Sequence, residues 1–182
     1  MTDIMVDLET LSTKPNALIV SIGAVKFSVQ QGVYDKFYIP CYVRPDDILY
    51  NAGHTTAEGF DISISTLQWW DDQSDDVRAV LAAPSAVAID SALTAFSEWV
   101  LAGDTIKNIR LWGNGASFDN VILAEAYRLC NLERPWMFWN DRCYRTVKAL
   151  KPDIPAIRVG MHHNALDDAI TQAEHLLSLQ LL

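Results

Sequence analysis

Cysteine is scarce in this chain: Cys41, Cys130 and Cys143 are the only three among 182 residues. Their number is odd, they are widely spaced, and no Cys-x-x-Cys pair occurs. Neither a disulfide framework nor a zinc knuckle is therefore suggested, and a reducing cytoplasm fits best. The opening Met1-Thr2-Asp3-Ile4 lacks the basic stretch and apolar run of a secretory signal. No later stretch approaches the length needed to span a bilayer, so a soluble, unprocessed, cytoplasmic protein is expected. Positive charge is also short, with 14 Lys and Arg against 23 Asp and Glu, a formal net charge of −9. That balance argues against coating nucleic acid by bulk electrostatics, which needs many phosphate-neutralising cations. Internal repeats, low-complexity tracts and linkers are missing as well.

Half of the residues are hydrophobic, enough for one packed domain over residues 1–182 and short for two. The pattern predicts strands at Asp3 to Leu8, Ala17 to Phe27 (with a small Gly23 inside) and Val33 to Val43, a β-meander. A polar, turn-rich stretch follows over residues 44–62. Helices are predicted around Thr66 to Gln73, from Asp75 to Ala82 with Ser74 at the N-cap, and from Asp90 to Leu101, ending at Gly103. Ile109 to Gly113 reads as a short strand, followed by a Gly-rich turn and a helix from Phe118 to Cys130. A short helix near Arg142 to Leu150 and a last one from about Asn164 complete the chain. Strands first and helices interleaved afterwards predict an α/β fold, a mixed sheet with helices on both faces. Charge is uneven along it: residues 128–160 hold seven basic side chains against three acidic ones. That segment is the best candidate for contacting phosphate, although any single one of these side chains reads as well as an ordinary solvated charge.

Three acidic elements carry the chemistry. In Ile4-Met5-Val6-Asp7-Leu8-Glu9-Thr10, residues two apart on a strand share a face, so Asp7 and Glu9 project together. Like charges side by side at the end of an apolar strand are unfavourable unless a cation sits between them, and oxygen-only ligands suit Mg²⁺ or Mn²⁺. Taken alone, Asp-x-Glu is common enough to be an ordinary strand end. The second element is Asp119, at a helix start after Trp112-Gly113-Asn114-Gly115-Ala116-Ser117-Phe118, where the helix dipole favours a negative group in any case. Its Gly-x-Gly is continued by neither a third glycine nor Gly-Lys-Ser/Thr, which rules out both nucleotide-loop fingerprints. The third is His163-Asn164-Ala165-Leu166-Asp167-Asp168, a loop histidine five residues before a helical aspartate, able to aim both into one cleft.

In combination and order, Asp7-x-Glu9, Phe118-Asp119-Asn120 and His163-x-x-x-x-Asp168 resemble the three exonuclease motifs of the DEDDh family. That family includes ribonuclease T, oligoribonuclease and polymerase proofreading subunits. The likeness extends from residue 4 to about 175. Trp112-Gly113-Asn114-Gly115 and Leu67-Gln68-Trp69-Trp70 look most like a small bacterial and phage branch, of the exonuclease A kind. The resemblance implies a ribonuclease H-like five-stranded mixed sheet, an antiparallel meander plus parallel strands, flanked by helices. It further implies a 3′-5′ exonuclease acting on single-stranded DNA or RNA and releasing 5′-mononucleotides. Two Mg²⁺ or Mn²⁺ ions would be held by Asp7, Glu9, Asp119 and Asp168, with Asp7 bridging and His163 taking the proton from the attacking water. Ribonuclease T and oligoribonuclease are homodimers, which leaves a homodimer open here, although nothing in the sequence shows one.

Around these residues, Thr10 reads as a contact to the terminal sugar or as a cap on the strand end, and Phe118 as a base contact or a staple between helix and sheet. Adjacent helical residues diverge by about 100°, so only one of Trp69 and Trp70 can be fully core-facing. The other, with Trp69 taken as the candidate although the pattern does not say which of the two it is, would stack on a base or serve as a lid or dimer contact. Arg142 and Arg145, three apart on one helical face, read as phosphate clamps. Asp167, His162, His54 and His175 are assigned to structure or solvent. Two other readings remain: a nucleic-acid-binding module of the same fold without activity, and a ribonuclease H-like endonuclease.

Overall fold

A computed structural model describes residues 1–115 and 117–182; Ala116, in the Gly-rich turn, lies outside the described residues. A five-stranded sheet of order β3-β2-β1-β4-β5 forms the centre. Its strands are β1 (Thr2–Thr10), β2 (Ile19–Ser28), β3 (Gly32–Pro40), β4 (Ile109–Gly113) and β5 (Asp141–Cys143). β1 to β3 form the antiparallel meander, and β4 and β5 add in parallel beyond β1. β2 is buried along nearly its whole length, whereas β3 alternates between covered and exposed residues, as a sheet edge should.

The two faces of β1 go to two cores. Ile4, Val6 and Leu8 join the larger one, with Leu93 and Phe96 of α4 (Ile89–Leu101) and Ile122 and Leu123 of α5 (Asp119–Leu129). Met5 joins the smaller one on the opposite face, with Val25, Phe27, Trp112, Tyr144 and the apolar stripe Ala169, Ala173 and Leu176 of α7 (Ala165–Ser178). Residues at i, i+4 and i+7 on a helix share one side, which is why α7 lies flat on the sheet. Asp7 and Glu9 continue the Met5 face beyond that smaller core.

Gly23 sets how closely α7 approaches. It pairs with Asp7 across the β1–β2 ladder, and a Cβ there would lie 2.1 Å from the backbone carbonyl carbon of Ala165. Only glycine lets the start of α7 press onto the sheet at the level of Asp7.

The remaining helices are α1 (Pro45–Asn51), α2 (Ile64–Asp71), α3 (Asp75–Arg78) and α6 (Tyr144–Lys148). α1 occupies part of the stretch expected to be irregular. Its signals are local, a proline in the first turn followed by Asp46 and Asp47, but polar composition masks them. Ser74 caps α3 by accepting from the Val77 N–H, and that helix passes into a 3-10 turn at Ala79–Ala82. The segment expected to be one helix from Arg142 to Leu150 is instead β5 followed by α6. A three-residue strand has no periodicity of its own to read; it forms because β4 offers a free edge. Among the described residues, no helix is long and apolar enough to cross a membrane.

Candidate active site

The C-terminal half of β1, the end of β4 and the start of α7 meet around a cleft of about 540 Å³. Asp7 and Glu9 come from β1, and Asp168 comes from the first turn of α7. One oxygen from each of these three lies within 4.8 Å of the other two. Asp119 is placed beside them at the head of α5 and is 1% exposed. The Leu8 N–H donates to its Oδ1 at 3.2 Å and the Asn114 N–H to its Oδ2 at 2.8 Å. Gly113 lets β4 and α5 meet there, since a Cβ on it would sit 2.3 Å from Asn120 Oδ1.

So much negative charge under partial burial shifts protonation. Burial, followed by the charges of Asp119, Glu9 and Asp168, holds the Asp7 carboxyl well above the ordinary carboxylate range. Glu9 is pushed up to about 8, by burial first and then by Asp168 and Asp119. Burial lifts Asp119 to about 6, against the opposing N–H donors of Asn114 and Leu8 and the charge of Arg145.

His163 lies in the same cleft with a left-handed backbone, φ 60°. A non-glycine residue there is strained, and such strain gathers at functional sites. The conformation is tied down by the His163 N–H, which donates to Asp168 Oδ2 at 3.0 Å. The ring meets Trp69 edge to face, with centroids 4.8 Å apart. Burial lowers the imidazole pKa below its usual value, opposed by Asp168. His162 is exposed. Of the tandem acids, Asp168 faces the cleft, while Asp167 accepts from the Met161 N–H at 2.7 Å and holds the preceding loop.

The tryptophan pair divides. Trp70 is 1% exposed and donates from Nε1 to the Thr10 carbonyl at 3.0 Å; Trp69 is 38% exposed and lines the cleft. Thr10 also lines the cleft, but its hydroxyl donates to the Ser12 carbonyl at 2.7 Å and so ties down the end of β1. Phe118 both lines the cleft and packs on the larger core. His54 is exposed, whereas His175 is buried, its Nδ1 2.6 Å from the Tyr144 hydroxyl. The expectation for Arg142 and Arg145 needs correction. Arg142 is on β5, donating to the Trp139 and Asp141 carbonyls, and Arg145 is on α6, so the two do not share a helical face. Neither lines the cleft itself; Arg145 comes up to its rim, its guanidinium carbon 3.6 Å from where a Cβ on Gly115 would stand and its charge felt at Asp119.

Two further residues belong to the site, Gln172, which the sequence reading did not single out, and Arg158, read there only as one basic residue of the 128–160 segment. Gln172 donates from Nε2 to Asp7 Oδ1 at 2.7 Å. It lies four residues after Asp168, so the helical period alone puts both on one face, and that signal was there to use. Arg158 pairs with Asp168 and also donates to the Met161 carbonyl. No local signal marks it, because its place depends on how the loop before α7 folds back.

Comparison with known proteins gives the family and the fold. Residues 2–180 match the family described as the 3′-5′ exoribonuclease Rv2179c-like domain. The exodeoxyribonuclease of Enterobacteria phage T4 is 25% identical, over 80% of this chain and 70% of its own length. Among solved structures, E. coli exonuclease I in complex with a dT13 oligonucleotide superposes with a TM-score of 0.65 at 10% identity, covering 99% of this chain. The chain spans only 41% of that exonuclease. The nuclease domain of 3′hExo, a DEDDh family member bound to rAMP, gives a TM-score of 0.63 at 13% identity, covering 98% of this chain and 91% of that domain. At these identities the structural likeness speaks for the fold.

Proposed function

The chain belongs to the family of 3′-5′ exoribonuclease Rv2179c-like domains, and we propose that it shortens single-stranded nucleic acid from its 3′ end at the site described, by metal-assisted hydrolysis, releasing 5′-mononucleotides. The observation that carries this reading is the meeting of Asp7, Glu9 and Asp168 within 4.8 Å, with Asp119 and His163 beside them.

The donor set suits Mg²⁺ or Mn²⁺. It is all oxygen, the carboxyls of Asp7, Glu9 and Asp119 are raised by burial and, for Asp7 and Glu9, further by the neighbouring carboxylates, and among the described residues the buried Gln172 Oε1 has no hydrogen-bond partner. Asp7, Glu9 and Asp168 would hold two such ions, and Asp119 would join them through the lone pair that each of its N–H-bonded oxygens retains. When bound, the ions lower the pKa of a coordinated water and stabilise charge on the attacking and leaving oxygens.

The chain's own residues do the rest. His163, neutral at pH 7 because burial lowers its pKa, accepts the proton of the attacking water on a ring nitrogen. Gln172 holds Asp7 in one orientation through its Nε2–H. Trp69 and Phe118 give the terminal nucleotide aromatic surfaces to lie against. Arg145 offers a planar cation to phosphate at the rim.

The family description names RNA and the name of the phage relative names DNA. Matched 5′-labelled DNA and RNA single strands, incubated with Mg²⁺ or with EDTA, test the proposal and decide between the two. A metal-dependent ladder shortened from the 3′ end, with a circular single strand left intact, is expected. Cutting of the circle would mean an endonuclease; metal binding without hydrolysis of any strand would mean a binding module.

A further inference from the structure

On a chain with a net charge of −9, one groove has only cations among its charged walls. It encloses about 360 Å³ beside α6, and Arg145, Lys148 and Lys151 line it at intervals of three residues. No carboxylate is among the lining residues. Among the described residues, none of the three cations is in an ion pair. Lys151 donates to a neutral acceptor, the Leu179 carbonyl, and Lys148 lies over the Tyr144 ring, 5.1 Å from its centroid.

The floor of the groove is already satisfied. The Tyr144 hydroxyl is 2.6 Å from His175 Nδ1, and His175 Nε2 is 2.8 Å from the Ile154 carbonyl. A carbonyl can only accept, so Nε2 carries the proton and Nδ1 accepts from the tyrosine. These groups stiffen the floor and leave the ligand-facing chemistry to the cations.

The groove joins the catalytic cleft through Arg145. That side chain lies against Gly115, whose neighbour Asn114 lines the cleft, and its charge is felt at Asp119. A strand whose last nucleotide sits among Asp7, Glu9 and Asp168 must lead its remaining phosphates away from four carboxylates, and this row of unpaired cations begins at the rim.

We propose that the Arg145, Lys148 and Lys151 groove carries the phosphodiester backbone of the single strand upstream of the nucleotide being removed. The inference rests on the exonuclease reading above, and its test is a binding measurement so that the two can fail separately. Fluorescence anisotropy with nuclease-resistant phosphorothioate strands in Mg²⁺ would compare a trinucleotide with a strand of about 20 nucleotides, longer than the roughly 4–16 that a single-strand site covers. Lys148→Gln/Lys151→Gln should weaken the long strand by about tenfold at low salt, and the trinucleotide far less. The slope of log affinity against log salt should fall by about 1.4, near 0.7 for each lost contact with a single strand. Lys36→Gln/Lys107→Gln removes the same charge from exposed sites elsewhere and should change neither quantity. If loss of the Lys151 contact to Leu179 lowers the melting temperature, Lys148→Gln alone should show about half the change in slope. Equal affinity and slope in wild type and the groove variant would overturn the proposal. So would binding of tripolyphosphate in the groove without any effect of strand length, which would make it a small-anion site. Strand binding that depends on the groove in a protein that hydrolyses nothing would instead overturn the exonuclease reading and leave the groove standing.

Discussion

Replacing Glu9 by glutamine should stabilise the metal-free protein and remove its response to metal. Burial and the neighbouring Asp168 and Asp119 raise the Glu9 carboxyl from 4.5 to about 8. The folded state therefore holds a proton that the unfolded chain has released throughout this interval, and stability falls as pH rises across it. Between the unfolded pKa and pH 7, at about 1.4 kcal/mol per unit, the penalty is about 3.5 kcal/mol against the folded state. Glu9 titrates together with the neighbouring carboxyls, so only part of that penalty belongs to Glu9 alone, and a single substitution should recover about half, roughly 1–2 kcal/mol. For a chain of this length that is a rise in Tm of about 2–8 °C in EDTA at pH 7. The gain should shrink towards pH 5, where the wild-type carboxyl is protonated in the fold at little cost. Metal reverses the order. Mg²⁺ or Mn²⁺ at a hundred times its Kd should stabilise the wild type by about 2.7 kcal/mol, and Glu9→Gln by much less. Calorimetry or thermal fluorescence across pH 5 to 8, with EDTA and with Mn²⁺, reads all of this. A lower Tm for Glu9→Gln in EDTA, or stabilisation by Mn²⁺ equal to that of the wild type, would refute the reasoning.

Asp168→Asn should abolish metal-dependent nucleotide release, while Asp167→Asn should stay largely active with a slightly less stable loop; the reverse pattern would put the wrong acid in the cleft. His163→Ala should keep Mn²⁺ binding, lose about 10²–10⁴-fold in rate and flatten the acidic limb of the pH profile at saturating Mn²⁺, because a base must be neutral to accept the proton. His162→Ala should keep both rate and profile. Trp70→Ala removes a core side chain that is 1% exposed and should cost about 3–5 kcal/mol in a denaturant titration. Trp69→Ala should leave stability nearly unchanged and raise KM about 5- to 160-fold, the loss of one base stack of about 1–3 kcal/mol.

Some of this was determined by the sequence alone. The alternation of Met5, Asp7 and Glu9 with Ile4, Val6 and Leu8 puts two carboxylates on one face of β1, because a strand repeats every two residues whatever packs on it. The Ile109–Gly113 strand, the Ser74 cap and the start of the last helix at Asn164, whose side chain accepts from the Leu166 and Asp167 N–H groups, are equally local. Order and spacing of the acids and of His163 were enough to carry the family resemblance. The tertiary structure decided what depends on a partner distant in sequence. β5 is a strand only because β4 has an edge for it, so Arg142 stands on that strand and not on the helix where the pattern placed it. Which tryptophan is buried follows from the Thr10 carbonyl waiting 60 residues earlier, and helical geometry says only that the two rings diverge. Arg158 beside Asp168 and Gln172 on Asp7 come together only when α7 settles onto Gly23, and the backbone N–H groups of Leu8 and Asn114 grip Asp119 only when the head of α5 packs against β1 and β4. A pairing term between groups far apart in the chain has no local trace, since its energy exists only once the intervening segments have packed.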